Sequence, residues 1–384
     1  MRVLQIHNRY ANPGGEDVVV DLERKVLRAA GHQVEALEVQ NQQGLQGAVS
    51  LAASPWNVAS ARRLASVIEE FQPSVAHVHN TWFRLGPSIY PVLKRAGLPV
   101  VMTAHNYRLT CLNGQLFREG AVCTRCVGHY PLPGVVRSCY RDSFSQSAVM
   151  AVGVSIGRVN SFWEGFVDRL VAMTEFERDL LVEIGVPIDQ IVVKPHFVED
   201  EGTRTLPPSA SDTVVFVGRL SEEKGVATLV EAWAEARPTG LRLVVIGDGP
   251  ERAQLQAHAP SSVEFVGWLD RREVASWLRD ARALAFPSIW YEPFGMVLIE
   301  AMATGTPVVA SQLGGIPQVV GDGGDELLAK PGDVQSWAGR IRALQDASVD
   351  LDAIGRTNRA TYEARYSVAH GLSGLERLYQ SVLR

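Results

Sequence analysis

The sequence contains no apolar stretch long enough to cross a membrane. Its longest apolar run covers residues 148–157, whereas a membrane-spanning helix needs about 20 apolar residues. The first apolar run, within Met1–His7, is too short for a signal peptide and leads directly into polar residues. These features predict a cytoplasmic protein.

The sequence also lacks a strong excess of charge of one sign. Its formal net charge is −5 over 384 residues, and a general nucleic-acid binder needs a concentrated basic surface to neutralise phosphates. Nucleic acid is therefore not expected as a partner. Apolar residues make up 46% of the chain and charged residues 21%, which is typical of a soluble globular protein. A chain of this length usually forms more than one core, so two domains are expected.

Cysteine is scarce, and the four cysteines fall in one short segment: Cys111, Cys123, Cys126 and Cys139. Disulfides are uncommon in a cytoplasmic protein, and the close Cys123 and Cys126 have the spacing of a metal-binding knuckle. Four thiolates would suit a structural zinc ion. Reduced thiols without a metal, and disulfides, stay open as alternatives because the outer spacings are loose.

Short apolar segments alternate with helical patterns along most of the sequence. The predicted strands cover residues 3–6, 32–39, 74–79, 99–104, 213–217, 241–246, 263–266 and 284–286. Such repetition of strand and helix predicts parallel sheets with helices on both faces. Proline and glycine interrupt the pattern at residues 194–211, and a helical pattern returns over 361–384. We therefore predict an α/β protein with two doubly wound, Rossmann-like domains that face each other across a cleft.

The most informative stretch is a strand, turn and helix carrying two glutamates eight residues apart, Glu292 and Glu300. Pro293 and Gly295 lie in the turn, and the helical pattern starts at Met296. Because the first amides of a helix have no partner within the helix, this turn is suited to bind an anion. Carboxylates accept hydrogen bonds from hydroxyl groups, as sugars and ribose would require. The alternative is a solvated pair of glutamates beside an ordinary turn.

Two cations lie in another loop between a strand and a helix, in the pairs Gly218-Arg219 and Lys224-Gly225. An arginine can bind a diphosphate through two parallel hydrogen bonds, and a lysine acts as a point charge. The spacing is not that of a Walker loop. Two solvated loop cations are the alternative. Combined with the two glutamates, the loop predicts a site for a nucleoside diphosphate-sugar.

The N-terminal half carries glycines and histidines at the ends of its strands. Gly14 and Gly15 follow the first strand and would let the backbone approach a ligand, although they would serve equally to close a loop. His77 and His79 lie on one side of the third strand. His105 stands just past the fourth strand, where open α/β sheets bind ligands. A structural hydrogen-bonding role is the alternative for His105.

The chain resembles the family-4 retaining glycosyltransferases, which have GT-B architecture. The resemblance covers nearly the whole chain and rests on these segments in this order: the Gly14-Gly15 loop, residues 77–80, 103–106 and 191–198, Gly218-Arg219 with Lys224-Gly225, residues 247–250, Val266-Gly267, and residues 292–295 with Glu300. A subset of the family carries a cysteine-bearing insertion in the N-terminal domain that is similar to residues 111–139. His196 departs from the family, which often has asparagine there.

The resemblance implies roles for individual residues. Arg219 and Lys224 would hold the donor diphosphate during catalysis. Glu292 and His105 would contact the transferred sugar, and Glu300 would bind the ribose hydroxyls. The other donor-binding residues that the resemblance implies are Gly14, Gly15, Gly218, Gly247, Val266, Gly267, Phe294, Gly295, Met296 and Val297.

The resemblance also divides the chain into segments. Residues 1–199 would form an acceptor-side domain, and residues 200–365 would form the nucleotide-sugar-binding domain. The last segment, residues 366–384, would be a helix that crosses back to the first domain.

The implied reaction moves a sugar from a nucleoside diphosphate-sugar to a hydroxyl group of a glycan or lipid-linked acceptor, with retention of configuration. Cations and a helix N-terminus would stabilise the departing diphosphate, so no catalytic metal is predicted. Weak peripheral association with the inner face of a membrane is a further expectation. Two other interpretations compete with this one: a sugar-nucleotide epimerase of the same two-domain plan, and a sugar-nucleotide-binding module without turnover.

Overall fold

The computed structural model describes residues 1–11, 14–42, 47, 50–51, 54–158, 162–321, 325–346 and 349–383. Asn12 and Pro13 of the predicted glycine loop, and Arg384 of the tail, lie outside the described residues. The chain forms two compact units. Unit 1 comprises Met1–Leu116, Cys123–Pro195 and Gly371–Arg384, and unit 2 comprises Phe117–Val122 and His196–His370. The chain therefore passes from unit 1 to unit 2 after Pro195, whereas the predicted boundary was 199/200.

The elements of the first half, in chain order, are β1 (Arg2–Arg9), α1 (Gly15–Ala29), β2 (Gln33–Gln40), α2 (Val58–Phe71), β3 (Val75–Val78), α3 (Tyr90–Arg95), β4 (Val100–Thr103), β5 (Phe117–Arg118), β6 (Ala121–Val122), α4 (Leu132–Val136), α5 (Phe144–Ile156), α6 (Phe162–Phe166), β7 (Arg169–Ala172), α7 (Glu175–Glu183) and β8 (Ile191–Val193). The elements of the second half are β9 (Thr213–Val217), α8 (Val226–Ala236), β10 (Arg242–Ile246), α9 (Arg252–His258), β11 (Val263–Gly267), α10 (Arg271–Asp280), β12 (Ala283–Phe286), α11 (Met296–Thr304), β13 (Val308–Ser311), α12 (Ile316–Val320), β14 (Leu328–Ala329), α13 (Val334–Ala343), α14 (Leu351–Arg365) and α15 (Val368–Gln380). Short 3-10 helices cover Pro87–Ile89, Tyr107–Leu109, Ile188–Gln190, Pro208–Ala210, Glu222–Lys224 and Asp325–Leu327.

Unit 1 is built on a six-stranded sheet with the order β2-β1-β3-β4-β7-β8. Every pairing in this sheet is parallel. All residues of β3 and β4 are buried, because helices cover both faces of a parallel sheet. The strand order reverses between β1 and β3, which is where sheets of this kind bind ligands.

Unit 2 is built on a second parallel sheet with the order β11-β10-β9-β12-β13-β14. Its order reverses between β9 and β12. On one side of this sheet, Trp233 of α8 and Trp337 of α13 are almost completely buried in the main apolar cluster. The two predicted Rossmann-like domains are thus confirmed, each with its own sheet and core.

Side-chain caps fix the start of several helices. The side chains of Asn57, Ser143, Thr174, Asp333 and Asp350 each accept a hydrogen bond from a backbone amide in the first turn of the helix that follows. Each cap satisfies an amide that has no partner inside the helix. These polar residues precede apolar patterns in the sequence, so they mark the helix boundaries.

The predicted helical tail is two helices, α14 and α15, separated at Tyr366 and Ser367. Residues from Gly371 onward belong to unit 1. The hydroxyl of Tyr379 lies 2.9 Å from Nδ1 of His77, and Glu376 lies 3.0 Å from His32. The last helix therefore completes the core of the unit that contains the N-terminus.

Candidate functional site

The candidate donor site lies at the reversal point of the sheet in unit 2. The loop after β9 carries Arg219 and Lys224, and the loop after β12 carries Glu292. Both strands end at the same edge because they pair in parallel. A backbone hydrogen bond of 2.9 Å from the amide of Ile289 to the carbonyl of Glu223 joins the two loops. The fold thus brings together two sequence segments that were predicted to act on one ligand.

Lys224 and Glu292 form an ion pair at the centre of this arrangement. The Nζ atom of Lys224 lies 2.8 Å from Oε2 and 3.0 Å from Oε1 of Glu292. Trp290 donates from its indole nitrogen to Oε2 at 2.9 Å, and the ammonium of Lys224 lies 5.1 Å from the centre of the same ring. The side chains keep 20% and 11% exposure. Both charged groups therefore have defined positions, and each retains hydrogen-bonding capacity for a ligand.

Arg219 differs from Lys224 because its side chain is exposed and makes no hydrogen bond or ion pair with another described residue. It follows Gly218, whose amide donates to the carbonyl of Ile246 at 3.0 Å. The backbone at this point is therefore fixed, while the guanidinium extends from it without a protein partner among the residues described. This combination suits an arginine that binds an anionic ligand.

The glycines after the strands of unit 2 hold the loops against one another. Gly247 has a φ of +136°, and a Cβ atom there would lie 1.9 Å from the carbonyl oxygen of Gly218. The amide of Gly247 donates to the carbonyl of Gly267 at 2.7 Å. These amides are used by the protein itself, so the structure gives Gly218 and Gly247 a packing role. Val266 in the adjacent strand is half-buried.

The turn before α11 has the geometry expected of an anion-binding helix start. Gly295 is the N-cap residue with a φ of +82°, a conformation that favours glycine. Phe294 is buried and packs edge-on against the ring of His196, with centroids 5.1 Å apart. The first residues of the helix, Met296 and Val297, are half-buried. His196, the departure from the family pattern, thus supports this turn through its ring.

Glu300 lies on α11, one turn further along the helix. It is half-buried, and burial raises the pKa of its carboxyl group, while the charge of Arg271 acts in the opposite direction. Arg271 in turn lies 3.7 Å from Glu201. Burial leaves this carboxyl group with fewer water molecules around it, so hydroxyl groups of a ligand can take their place as hydrogen-bond donors.

An Asp-x-Asp triplet, the pattern of some metal-dependent sugar transferases, occurs at Asp350-Leu351-Asp352. In the structure Asp350 caps α14 by accepting from the amide of Ala353 at 2.8 Å. Asp352 accepts from the amide and the hydroxyl of Ser209, both at 2.9 Å. Asp350 therefore stabilises the start of α14, and Asp352 joins α14 to the 3-10 helix Pro208–Ala210.

In unit 1, His105 follows β4 and is half-buried. Its Nε2 atom lies 2.9 Å from Nδ1 of His79, which is completely buried at the end of β3. His105 is therefore the outer member of a pair of histidines whose rings lie 5.2 Å apart. The sequence predicted a position at the ligand-binding edge of this sheet for His105.

The glycine loop of unit 1 is held by an aspartate. The amide of Gly14 donates to Oδ2 of Asp17 at 2.9 Å, and Oδ1 of Asp17 lies 2.8 Å from Nε2 of the buried His7. Burial acts to raise the pKa of Asp17, but the hydrogen bonds from His7 and Gly14 outweigh it, so the pKa lies below its ordinary value. Gly15, the first residue of α1, is exposed.

Glu16 is a polar group of this region that the sequence did not single out. Its Oε2 atom accepts from the hydroxyl of Tyr10 at 2.7 Å and from Nδ2 of Asn106 at 3.4 Å. Burial raises the pKa of its carboxyl group, although the hydrogen bond from Tyr10 and the charge of His7 oppose this effect. Asn106 directly follows His105, so Glu16 lies close to the pair formed by His79 and His105.

A second overlooked group is the buried carboxylate of Glu23 on α1. Its Oε1 atom lies 3.2 Å from Nζ of Lys194, and its Oε2 atom lies 3.7 Å from His77 and 3.8 Å from His79. Burial lowers the pKa of His77 to about 4 and the pKa of His79 well below its ordinary value. A signal was present in the sequence, because Glu23 falls on the apolar stripe of α1 that includes Val19.

None of the four cysteines forms a disulfide in the part of the chain that the structure describes, and Cys126 is the buried one. Burial raises the pKa of Cys126 to about 11, and the charges of Cys111, Cys139 and Cys123 act in the same direction. Across the described residues, the His, Cys, Asp and Glu side chains that bring three ligand atoms within 4.8 Å of one another are Glu23, His77 and His79. The thiols therefore share one neighbourhood without the tight arrangement of a bound metal.

Two protein-family models match this chain. Residues 211–347 match the family model described as glycosyl transferases group 1, and residues 14–196 match the model described as a glycosyl transferase 4-like domain. The first match lies within unit 2, and the second covers most of unit 1.

Curated relatives are glycosyltransferases. A 2-deoxystreptamine glucosyltransferase of Streptomyces kanamyceticus is 32% identical over 185 residues, which are 46% of this chain and 48% of the relative. A D-inositol 3-phosphate glycosyltransferase of Segniliparus rotundus is 28% identical over 321 residues, which are 80% of this chain and 66% of the relative. A phosphatidyl-myo-inositol mannosyltransferase of Mycobacterium leprae is 38% identical over 183 residues, covering 46% and 48%. The chain thus spans about half the length of several curated relatives that it matches.

Solved structures share the fold over nearly the full length. Anabaena HepE, solved with UDP-glucose, has a TM-score of 0.69 with 17% identity and covers 99% of this chain and 100% of its own. The sucrose-phosphate synthase of Thermosynechococcus elongatus has a TM-score of 0.70 with 20% identity and covers 99% and 98%. The two family models match adjacent parts of the chain, and the solved glycosyltransferase structures share its GT-B fold.

Proposed function

We propose that this protein is a retaining hexosyltransferase that moves a sugar from a nucleoside diphosphate-sugar to a hydroxyl acceptor without a catalytic metal. The observation that carries the proposal is the Lys224–Glu292 pair at the reversal point of the sheet in unit 2, with the exposed Arg219 on the same loop as the lysine. The pair offers a cation to the diphosphate and a carboxylate to the sugar hydroxyls of one donor.

In the proposed step, the bond between the anomeric carbon and the diphosphate oxygen breaks, and a bond to the acceptor oxygen forms on the same face. The acceptor proton passes to an oxygen of the departing diphosphate, so retention needs no protein nucleophile. Negative charge grows on the diphosphate as the bond breaks. Lys224, Arg219 and the first amides of α11 would stabilise that charge, which is the main electrostatic requirement of such a reaction.

A uridine diphosphate sugar is the donor class that we propose. Anabaena HepE was solved with UDP and with UDP-glucose, and it shares the fold over nearly the whole chain. Glu300 would bind the ribose hydroxyls. The acceptor would be a hydroxyl group of a glycan or a lipid-linked intermediate. The names of the curated relatives refer to 2-deoxystreptamine, inositol phosphate and phosphatidyl-myo-inositol, which all carry ring hydroxyls.

The test begins with thermal shift of the purified protein against a panel of nucleotide sugars and free nucleotides. We expect a rise in the melting temperature with one donor, because a ligand that binds only the folded state stabilises it. The preferred donor is then incubated with and without candidate acceptors in the presence of a chelator. Transfer that requires an acceptor, with the donor's anomeric configuration kept in the product by NMR, supports the proposal. Isomerisation of the donor without an acceptor would instead show an epimerase.

We further propose that unit 1 binds weakly to membranes. Leu132, Val136 and Phe144 are 68%, 77% and 62% exposed in a segment that also carries the exposed Arg125 and Arg141. Exposed apolar side chains among basic ones suit the surface of an anionic bilayer. In a flotation experiment with phosphatidylglycerol vesicles, the wild-type protein should be recovered in the vesicle fraction. The Val136→Asp variant should stay in the fraction without vesicles. Equal recovery with and without vesicles would contradict this. No helix of the described residues is long and apolar enough to span a bilayer.

A structural zinc ion on Cys111, Cys123, Cys126 and Cys139 is also proposed. The charges of Cys111, Cys139 and Cys123 all act to raise the pKa of Cys126, and zinc would draw the four sulfur atoms to about 2.3 Å from the metal. Metal analysis of protein purified without added zinc provides the test. About one equivalent is expected, and less than about half an equivalent would contradict the proposal.

A further inference from the structure

Behind His105 lies a buried chain of polar side chains in unit 1. It runs from Lys194 through Glu23 and His79 to His105. The ammonium of Lys194 lies 3.2 Å from Oε1 of Glu23, Oε2 of Glu23 lies 3.8 Å from Nε2 of His79, and Nδ1 of His79 lies 2.9 Å from Nε2 of His105. The side chains of Glu23 and His79 are 2% and 0% exposed.

The first link fixes the charge of Glu23. The ammonium of Lys194 forms an ion pair with Glu23 at 3.2 Å. In this ion pair Glu23 is a carboxylate, which can only accept hydrogen bonds. His77 and His79 also surround this carboxylate within 4.8 Å, as metal ligands would. The ammonium already supplies the positive charge there, so the cluster needs no metal ion.

The second link fixes the proton on His79. Oε2 of Glu23 and Nε2 of His79 are both buried and have no hydrogen-bond partner among the described residues, although they face each other at 3.8 Å. A lone pair on Nε2 would point at the lone pairs of the carboxylate. A hydrogen on Nε2 instead points at a negative charge and needs only a small approach to form a hydrogen bond. His79 thus carries its hydrogen on Nε2, and Nδ1 is the acceptor.

The third link fixes His105. Because Nδ1 of His79 accepts, the hydrogen in the 2.9 Å contact belongs to Nε2 of His105. A neutral His105 then has its lone pair on Nδ1. We propose that Glu23 and His79 are positioning residues that hold His105 in the Nε2-protonated tautomer, in which Nδ1 is a hydrogen-bond acceptor.

The role of this tautomer in transfer rests on the proposed function, whereas the tautomer itself does not. In the proposed reaction, a histidine that accepts from a hydroxyl orients that hydroxyl in the bound sugar or acceptor. The opposite tautomer would present a hydrogen at Nδ1 and could not accept. The carboxylate of Glu23 thus determines, through His79, whether Nδ1 of His105 donates or accepts a hydrogen bond.

The first experiment reads the tautomer directly. Protein with ¹⁵N-labelled histidine is studied by long-range ¹H–¹⁵N correlation NMR near pH 8, and the His105 signals are assigned with His105→Asn. We expect the wild-type His105 to be protonated on Nε2. An Nδ1-protonated His105 in the wild type would overturn the proposal, whether or not the protein transfers sugar.

The second experiment reverses the direction of the hydrogen bonds from Glu23 to His105, with a substitution that keeps the shape of the Glu23 side chain. In Glu23→Gln the amide oxygen would face Lys194, and the amide nitrogen would face His79 and donate to its Nε2. His79 and then His105 should both change to the Nδ1-protonated form. Glu177→Gln is the matched control, because Glu177 is a buried glutamate of unit 1 whose carboxylate accepts from the amide of Met173 at 2.7 Å. The control should leave both histidines unchanged, and unchanged histidines in Glu23→Gln would overturn the proposal.

Kinetics complete the test. Glu23→Gln should lower kcat for transfer about tenfold, the size expected for one lost hydrogen bond, with the KM for the donor changed less than twofold. If Glu23→Gln does not fold, His79→Gln is measured in its place. Glutamine has no imidazole ring, so a contact with Glu23 at one end could not fix the hydrogen bond to His105 at the other. A change of tautomer without a change of kcat would show that the chain orders His105 without serving transfer, and would overturn the positioning role. Absence of any transferase activity, with the tautomers as expected, would contradict the proposed function alone.

Discussion

Each unit contains a lysine–glutamate pair, and the two pairs differ in their exposure. In unit 2, Lys224 and Glu292 meet at the reversal point of the sheet with 20% and 11% exposure. In unit 1, Lys194 and Glu23 form the same kind of pair with 9% and 2% exposure. An open pair can exchange its contacts for those of a ligand at small cost, whereas a buried pair must stay intact. The difference in exposure therefore fits a ligand-binding role for Lys224 and Glu292 and a structural role for Lys194 and Glu23.

The largest expected difference between the two pairs is in their contribution to the free energy of unfolding. Glu23→Ala leaves the buried ammonium of Lys194 without its carboxylate and should lower the free energy of unfolding by about 3–5 kcal/mol. Glu292→Ala, which breaks the open pair, should cost about 1 kcal/mol or less. Urea unfolding of the two variants provides the measurement. Equal costs would show that the two pairs do not differ in the way proposed.

The second effect is on transfer. Lys224→Met removes a cation from the departing diphosphate and should lower kcat/KM about 10²- to 10³-fold, with little change in the free energy of unfolding. Lys330→Met is the control, since Lys330 in unit 2 is 75% exposed, and it should transfer sugar at the wild-type rate. Steady-state kinetics with the preferred donor decide the matter, and wild-type rates in Lys224→Met would remove the proposed role of the open pair.

The third effect is the dependence of stability on pH in unit 1. Burial lowers the pKa of His77 to about 4, so between about pH 6.5 and pH 4 the unfolded chain binds a proton that the folded chain does not. Stability should therefore fall as the pH drops, by about 2 kcal/mol between pH 7 and pH 5 from this residue. Urea unfolding at both pH values should show a smaller fall in His77→Gln. The same fall in both proteins would argue against a buried neutral histidine.

The smallest effect concerns the Asp-x-Asp triplet of unit 2. Asp350 caps α14, so Asp350→Ala should lower the free energy of unfolding by about 1 kcal/mol and leave kcat for transfer unchanged. Asp352→Asn provides a parallel variant that keeps the shape of the side chain. Loss of transfer in either variant, restored by added Mn²⁺, would give the triplet a role in metal binding.

The alternation of strands and helices, and the helix start at Gly295, could be predicted because each depends on neighbouring residues. The pairing of Lys224 with Glu292 could not, because it depends on β9 lying beside β12, and the partners are 68 positions apart in the sequence. The contact between Glu23 and Lys194 spans 171 residues. The roles of Gly218 and Gly247 as ligand contacts stay predictions, and in the structure their amides donate to the backbone carbonyls of Ile246 and Gly267. Local patterns thus indicate which residues are unusual, and the order of the strands decides which of them meet.

The return of the last helix to unit 1 has a consequence for biosynthesis. Tyr379 supplies a hydrogen bond to His77, which lies 302 residues earlier in the chain. A ribosome translating this protein therefore releases the whole of unit 2 before the N-terminal unit receives its final helix. The hydrogen bond between Tyr379 and His77 can therefore form only after residues 196–370 have been synthesised.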